Sequence, residues 1–193
     1  MTRDLLATWK LERARILLCD SRDVVFQGNP FAVSWPALWT CEEDKLLGDC
    51  RLNSAWLKRF GGEAAFQQAQ HCQIVCAGVL GGQVEQIHNY LQHSSELIER
   101  LAPWIPLTVG DQGVHNNLVR MHPELGFTVL PNGGRLAANV GYTQPADLVV
   151  EQGAVRFRSQ PEAPAILHQY DRHPGLAALI QSRWGAAKPT ASR

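Results

Sequence analysis

Ile16-Leu17-Leu18-Cys19-Asp20-Ser21-Arg22-Asp23-Val24-Val25-Phe26 is the stretch on which the fold turns. Four consecutive apolar residues that stop at an aspartate read as a buried strand with an acidic pair at its carboxyl end. A helix-like stretch from Asp4 to Arg15 precedes it. Val24 to Phe26 continue it briefly before Gly28, Asn29 and Pro30 break the chain. Two carboxylates three residues apart cannot both be buried without a cation or hydrogen-bond donors. A divalent metal satisfies that demand economically. A turn cap at Asp20 with a surface pair between Asp23 and Arg22 satisfies it equally well.

Downstream, Pro36 interrupts the aromatic segment Phe31 to Trp39, which is expected to be loop or short helices over a core. Trp35 and Trp39 are read chiefly as core residues, with stacking on a glycan as the other option. Asn53 is expected to cap a helix through Trp56, Leu57 and Phe60 that stops at Gly61-Gly62, with a second short helix from Glu63 to about Gln70. Gln73 to Cys76 reads as a strand ending in the small residues Ala77, Gly78, Val79, Leu80, Gly81 and Gly82, either a tight turn or a place where a ligand lies against the backbone. Val84, Ile87, Leu91, Leu97, Ile98 and Leu101 have helical spacing that Pro103 and Pro106 end.

A helix is expected from Asp111 through Val114, Leu118, Val119 and Met121. Phe127 to Leu130, Arg135 to Val140, Leu148 to Val150 and Ala154 to Phe157 read as strands of a small antiparallel section. Ala165 to Leu167 forms one more buried strand ending at His168, and a helix from Gly175 to Trp184 precedes a frayed tail. Alternating strands and amphipathic helices predict an α/β layer architecture with ligands at strand ends.

Composition narrows the function. The 193 residues are 45% hydrophobic with six tryptophans, enough for one real core. Lys plus Arg and Asp plus Glu number 18 each, so no bulk positive charge points to nucleic acid. Cys19, Cys41, Cys50, Cys72 and Cys76 are an odd, scattered set that favours reduced thiols and a cytoplasmic location. His71, Cys72 and Cys76 lack the second ligand pair of a structural zinc site. The charged N-terminal segment is neither a signal peptide nor a transmembrane span. No GxxxxGK[ST], GxSxG or HExxH motif is present, which removes three large enzyme classes.

Two further clusters carry chemistry. His168 is followed by Gln169, Tyr170, Asp171, Arg172 and His173, and it either completes a metal shell or is a hydrogen-bonded strand-end histidine. One nitrogen with carboxylate and phosphate oxygens suits manganese better than calcium, with magnesium also admitted. Asp111-Gln112-Gly113-Val114-His115-Asn116-Asn117 opens a helix; Asp111 serves as a cap or a site residue, and Gln112, His115 and Asn116 exceed what a cap needs.

Taken in order, Asp20 to Phe31, Cys76-Ala77-Gly78-Val79, Asp111-Gln112 with Asn116, and His168 resemble the metal-dependent, nucleotide-diphospho-sugar glycosyltransferases of the GT-A fold. The resemblance spans about residues 5 to 184 and implies a mixed sheet flanked by helices. It implies transfer of a sugar from a nucleoside diphosphate sugar to an acceptor hydroxyl, with a divalent metal held by Asp20, Asp23 and His168. Asp23 matches the second aspartate of the family's Asp-x-Asp motif, whereas Ser21 stands at the first and Asp20 precedes it, an Asp-x-x-Asp variant. Asp111 and Gln112 match the region near the anomeric carbon, and Ala77 and Gly78 the turn beneath the sugar. Asp20, Arg22, His115 and Asn116 complete the expected donor site, Arg22 with a salt bridge to Asp20 or Asp23 as its other role. Only 19 residues precede Asp20, where the family normally has a nucleotide-binding βα segment. Residues 1–184 are therefore expected to be one catalytic domain lacking most of that segment, with 185–193 a flexible tail. An inactive binding module of the same ancestry is an alternative. A phosphatase-like hydrolase is another, but its second acid would fall where Arg22 stands.

Overall fold

The computed structural model describes residues 14–101 and 110–184. The stop at Pro103 and Pro106, the tail from Gly185 and most of the helix-like stretch expected before the first strand lie outside them, and the last residue of that stretch, Arg15, opens the first strand instead. In chain order the elements are β1 (Arg15–Cys19), β2 (Val24–Phe26), β3 (Leu38–Leu46), α1 (Arg51–Ala69), β4 (Gln73–Gln83), α2 (Val84–Leu101), α3 (Asp111–Met121), β5 (Thr128–Leu130), β6 (Ala137–Asn139), β7 (Leu148–Glu151), β8 (Ala154–Phe157), β9 (Ile166–His168) and α4 (Pro174–Trp184). The principal sheet runs β1-β4-β3-β6-β9-β2, with β5 also on β3; β7 and β8 form a separate hairpin. It is a mixed sheet, since β3 pairs in parallel with β5 and β6, β6 in parallel with β9, and the remaining neighbours are antiparallel.

Four expectations need correction. The aromatic segment leads into β3, a nine-residue strand at the heart of the sheet, hidden in the sequence by Pro36 before it and Glu42-Glu43-Asp44-Lys45 within it. The small residues after Cys76 do not turn, because β4 continues through them for eleven residues. They are small because neighbours lie on the strand: a Cβ at Gly81 would come within 2.9 Å of the Trp39 indole, which is fully buried. The expected antiparallel section is confined to β7 and β8, since β5 and β6 join β3 in parallel. Finally, α1 is capped at Cys50, not Asn53, and the double glycine appears as a kink at Gly62, whose φ of 79° is left-handed.

Apolar faces of the helices close the core. Ile87, Tyr90 and Leu97 of α2 and Val114 and Leu118 of α3 pack on Leu38 and Leu80. On the other portion of the sheet, Val25, Ala138 and Leu167 pack with Val155 of the hairpin and Ile180 of α4. No described helix is long and apolar enough to cross a membrane.

One topological fact positions the site. β1 and β2 occupy opposite ends of the strand order, yet only residues 20–23 join them. The two halves of the sheet meet through a single β3–β6 pair, Glu43 with Asn139, and the acidic segment crosses between them. Asp20 extends the β1 ladder by donating its N–H to the Gly78 carbonyl at 2.9 Å, and Asp23 extends the β2 ladder by accepting from Gln169 N–H at 2.9 Å.

Candidate active site

A cavity of about 410 Å³ opens over this crossing, lined by the middle of β4, the end of β9 and the first turns of α1 and α3. Asp20, Asp23 and His168 converge in it, and among the described residues they are the one set of three ligating side chains, their donor atoms lying within 4.8 Å of one another. The His71, Cys72 and Cys76 set is not assembled. His168 Nε2 lies 3.3 Å from Asp20 Oδ2 and 3.5 Å from Asp23 Oδ1. A Cβ at Gly78 would stand 2.4 Å from His168 Cε1 and 2.5 Å from Asp20 Oδ2, so the site exists only because that strand position is glycine.

The histidine's orientation follows from its neighbours. Asn139, fully buried, donates Nδ2 to the carbonyls of Cys41 at 3.2 Å and Glu42 at 3.0 Å, which turns its Oδ1 toward His168 Nδ1 at 2.9 Å. An amide oxygen only accepts, so Nδ1 carries a proton and the ring is oriented with Nε2 toward the two carboxylates. Nε2 is buried without a hydrogen bond. Two carboxylates converging on Nε2 call for positive charge, met by a proton on the ring or by a divalent cation, and one nitrogen with two carboxylates is a donor set for manganese or magnesium. The residues fit a divalent ion.

The helix-opening cluster divides into two groups. Asp111 and Gln112 line the cavity. His115 and Asn116 are completely buried beneath it and absent from its lining. Asn116 clasps Val75, accepting its N–H at 3.0 Å and donating to its carbonyl at 2.9 Å. Gln112 accepts from Ala77 N–H at 2.8 Å and donates to Val75 O at 3.0 Å, and Arg120 donates to Gln73 O at 2.6 Å. Three side chains at four-residue spacing on α3 thus replace the neighbour strand that β1, pairing only from Val79 onward, does not provide. The surplus polarity of the motif is edge-strand satisfaction.

His115 sits in a relay that fixes its tautomer. Thr40 donates to the Cys76 carbonyl at 3.3 Å, so its oxygen accepts from His115 Nε2 at 2.8 Å, leaving Nδ1 to accept from the Tyr90 hydroxyl at 2.9 Å. Burial, with the positive Arg120 adding to it, lowers the imidazole pKa to about 3. It is a neutral ring.

Arg22 is exposed and does not line the cavity; the arginine that does is Arg172, whose guanidinium lies 5.6 Å from the centre of the Tyr142 ring. Ala77 and Gly78 lie in the lining, as a straight strand. Several lining residues were not expected in the site, among them Glu43, Gln169, Asn53 and Trp56. Glu43 is a carboxylate only 3% exposed, held by Gln169 Nε2 at 3.1 Å. Gln169 itself adopts a left-handed φ of 62°, strain of the kind that collects at functional sites. Asn53 and Trp56 come from α1. The signal for Glu43 was the run Leu38-Trp39-Thr40-Cys41 before it, a strand by composition. Cys76, buried in the same wall beside Glu43, has its thiol pKa pushed well up by burial and is no nucleophile.

No protein-family model matches the sequence, and no curated protein is significantly similar to it. Among solved structures, the chain is similar to galactosyltransferase LgtC in complex with donor and acceptor sugar analogs, at 15% identity and a TM-score of 0.51, covering 97% of this chain and 67% of that one. It is likewise similar to an active-site mutant of LgtC in which glutamate replaces glutamine, at 14% identity and a TM-score of 0.50, covering 97% and 68%. At these identities the likeness is one of fold: the chain has the GT-A-like mixed α/β architecture.

Proposed function

We propose that this chain is a glycosyltransferase that moves a sugar from a nucleoside diphosphate sugar to an acceptor hydroxyl, with Asp20, Asp23 and His168 as ligands of a divalent metal, manganese or magnesium. The observation that carries the reading is the buried, unpartnered Nε2 of His168 aimed at two carboxylates over a glycine. That the site joins Asp20 to His168 supports treating the described chain as one catalytic domain.

A bound divalent ion supplies Lewis-acid stabilisation of the leaving diphosphate. The protein's own residues do the rest. Asn139 holds the His168 ring so that its Nε2 faces the site. Gly78 leaves room for the His168 ring and the Asp20 carboxylate against the β4 backbone. Arg172 brings positive charge to a cavity otherwise lined by Asp20, Asp23, Glu43 and Asp111, where it meets the diphosphate. Gln112, fixed at both ends to β4, and Asp111, whose Oδ1 accepts from Gln112 N–H at 2.7 Å, form the wall beside the anomeric carbon. Glu43 accepts from a sugar hydroxyl.

Calorimetry with uridine and guanosine diphosphate sugars, with and without manganese, tests the reading. Metal-dependent binding that Asp23→Ala abolishes is expected. Full metal-dependent binding by that variant, or no binding of either nucleotide sugar by the wild type, defeats it. Release of phosphate from simple monoesters would favour hydrolysis instead.

A further inference from the structure

The cavity has a second wall that the donor site does not use. Leu52, Asn53 and Trp56 share one face of the first turns of α1, and all three line the cavity. Asn53 is 6% exposed, and one end of its amide is held by Cys50, to whose sulfur Nδ2 donates at 3.2 Å. The other end, Oδ1, is buried with no hydrogen-bond partner. Turning the amide over exchanges the two ends without satisfying both. Leu52 beside it is 61% exposed, the most exposed of the large apolar residues among those described. Tyr142 stands nearby, its hydroxyl 3.7 Å from Cys50 Sγ, and burial foremost raises the phenol to about 12, so it is a neutral hydroxyl.

We infer that this wall is the acceptor subsite, and that it takes a saccharide: one ring hydroxyl hydrogen-bonds the free end of the Asn53 amide while an apolar face of the ring lies against Trp56 and Leu52. Leu52, Asn53 and Trp56 carry no charge and so do not suit the donor's diphosphate, whereas Asp20, Asp23 and His168 elsewhere in the lining form the candidate metal set. A buried polar group left unpaired is costly, and a ligand hydroxyl removes that cost. Sugars present both features the wall asks for, hydroxyls at the ring edge and C–H groups on its face. The assignment of this ligand as acceptor rests on the transferase reading; the saccharide site itself does not.

The test uses the whole protein with manganese and uridine diphosphate present. Lactose, maltose, cellobiose and N,N′-diacetylchitobiose are each titrated by saturation-transfer NMR, and nucleotide binding is followed in parallel by calorimetry. At least one disaccharide should bind the wild type in the millimolar range or tighter. Asn53→Ala should weaken it at least tenfold, and Trp56→Ala likewise, with nucleotide affinity unchanged within twofold. Disaccharide binding that neither substitution alters, or no binding of the four by the wild type, overturns the inference. Saccharide binding without metal-dependent nucleotide binding would leave the subsite standing and defeat the transferase reading. Asn53→Gln, which keeps the amide, serves as the control if Asn53→Ala fails to fold; its binding should likewise fall, because the longer side chain misplaces the amide, and unchanged binding counts against the subsite.

Discussion

His115 gives the structure a pH dependence that can be worked out in advance. The ring is fully buried, with Nδ1 accepting from Tyr90 and Nε2 donating to Thr40, so a second proton has no acceptor to meet and must displace the Tyr90 hydroxyl hydrogen. Its folded pKa is about 3, pushed down mainly by burial, against about 6.5 in an unfolded chain. The folded pKa lies below the unfolded one, so the unfolded state takes up the proton first and stability falls as pH drops below about 6.5. The loss runs down toward pH 3. Between pH 7 and pH 5 the single site removes about 2 kcal/mol, and that figure barely changes if the folded pKa is a unit higher, because both values lie below pH 5.

The perturbation is His115→Gln, which does not titrate. Urea unfolding followed by circular dichroism at pH 7 and pH 5 gives the stability difference for each protein. Every other titrating group contributes equally to both, so the change in that difference isolates His115. The variant should be less stable than the wild type at pH 7, having lost ring hydrogen bonds, but it should lose about 2 kcal/mol less between the two pH values. Parallel stability curves, agreeing within about 0.5 kcal/mol, would refute the assignment of a neutral buried ring.

Two further substitutions probe the site and its support. Gly78→Ala places a methyl 2.4 Å from His168 Cε1 and 2.5 Å from Asp20 Oδ2, so it should weaken manganese-dependent nucleotide binding at least tenfold by calorimetry with the far-UV spectrum retained; unchanged affinity would mean that the three ligands do not act together. Asn116→Ala strands the N–H of Val75 inside the protein and leaves its carbonyl to Gln112 alone, which should cost about 1–3 kcal/mol in urea unfolding. A loss below about 1 kcal/mol would show that α3 does not carry the edge of β4.

The strands that bear the metal ligands were legible because each is a short apolar run ending in a polar residue: Leu17, Leu18 and Cys19 into Asp20, and Ile166 and Leu167 into His168. Helices α2 and α3 were legible from their apolar spacing. β3 was not, because half of it is charged, and its burial is set by neighbours on both sides that are distant in sequence. The same concealment hid Glu43. Asn53 was misread for a related reason: an asparagine near a helix start matches a cap by type, and only the position of Cys50 decides that it faces the cavity instead. In Asp111 to Asn117 residue type again ran ahead of geometry. Asparagine, glutamine and histidine look alike whether they hold a ligand or a strand edge, and the difference lies in which backbone groups of β4 lack a partner, a property of the sheet order.

That sheet order also accounts for the Asp-x-x-Asp spacing. In this chain the two aspartates belong to different ladders. Asp20 is tied to β4 through Gly78, and Asp23 to β9 through Gln169. Ser21 and Arg22 span the gap between halves of the sheet whose strands otherwise pair at Glu43 with Asn139. The carboxylates are therefore brought together by the closure of the sheet rather than by local turn geometry, and His168, at the end of the β9 strand on which Asp23 hangs, meets them from the side. Asn139 belongs to both arrangements at once: its backbone pairs β6 with β3 and β9, and its side chain orients His168. A shift of β6 against β3 would move the one carbonyl pair that holds the Asn139 amide and, through it, the Nε2 of the histidine. The register of the narrowest joint in the fold and the geometry of the three ligands are thus set by the same residue.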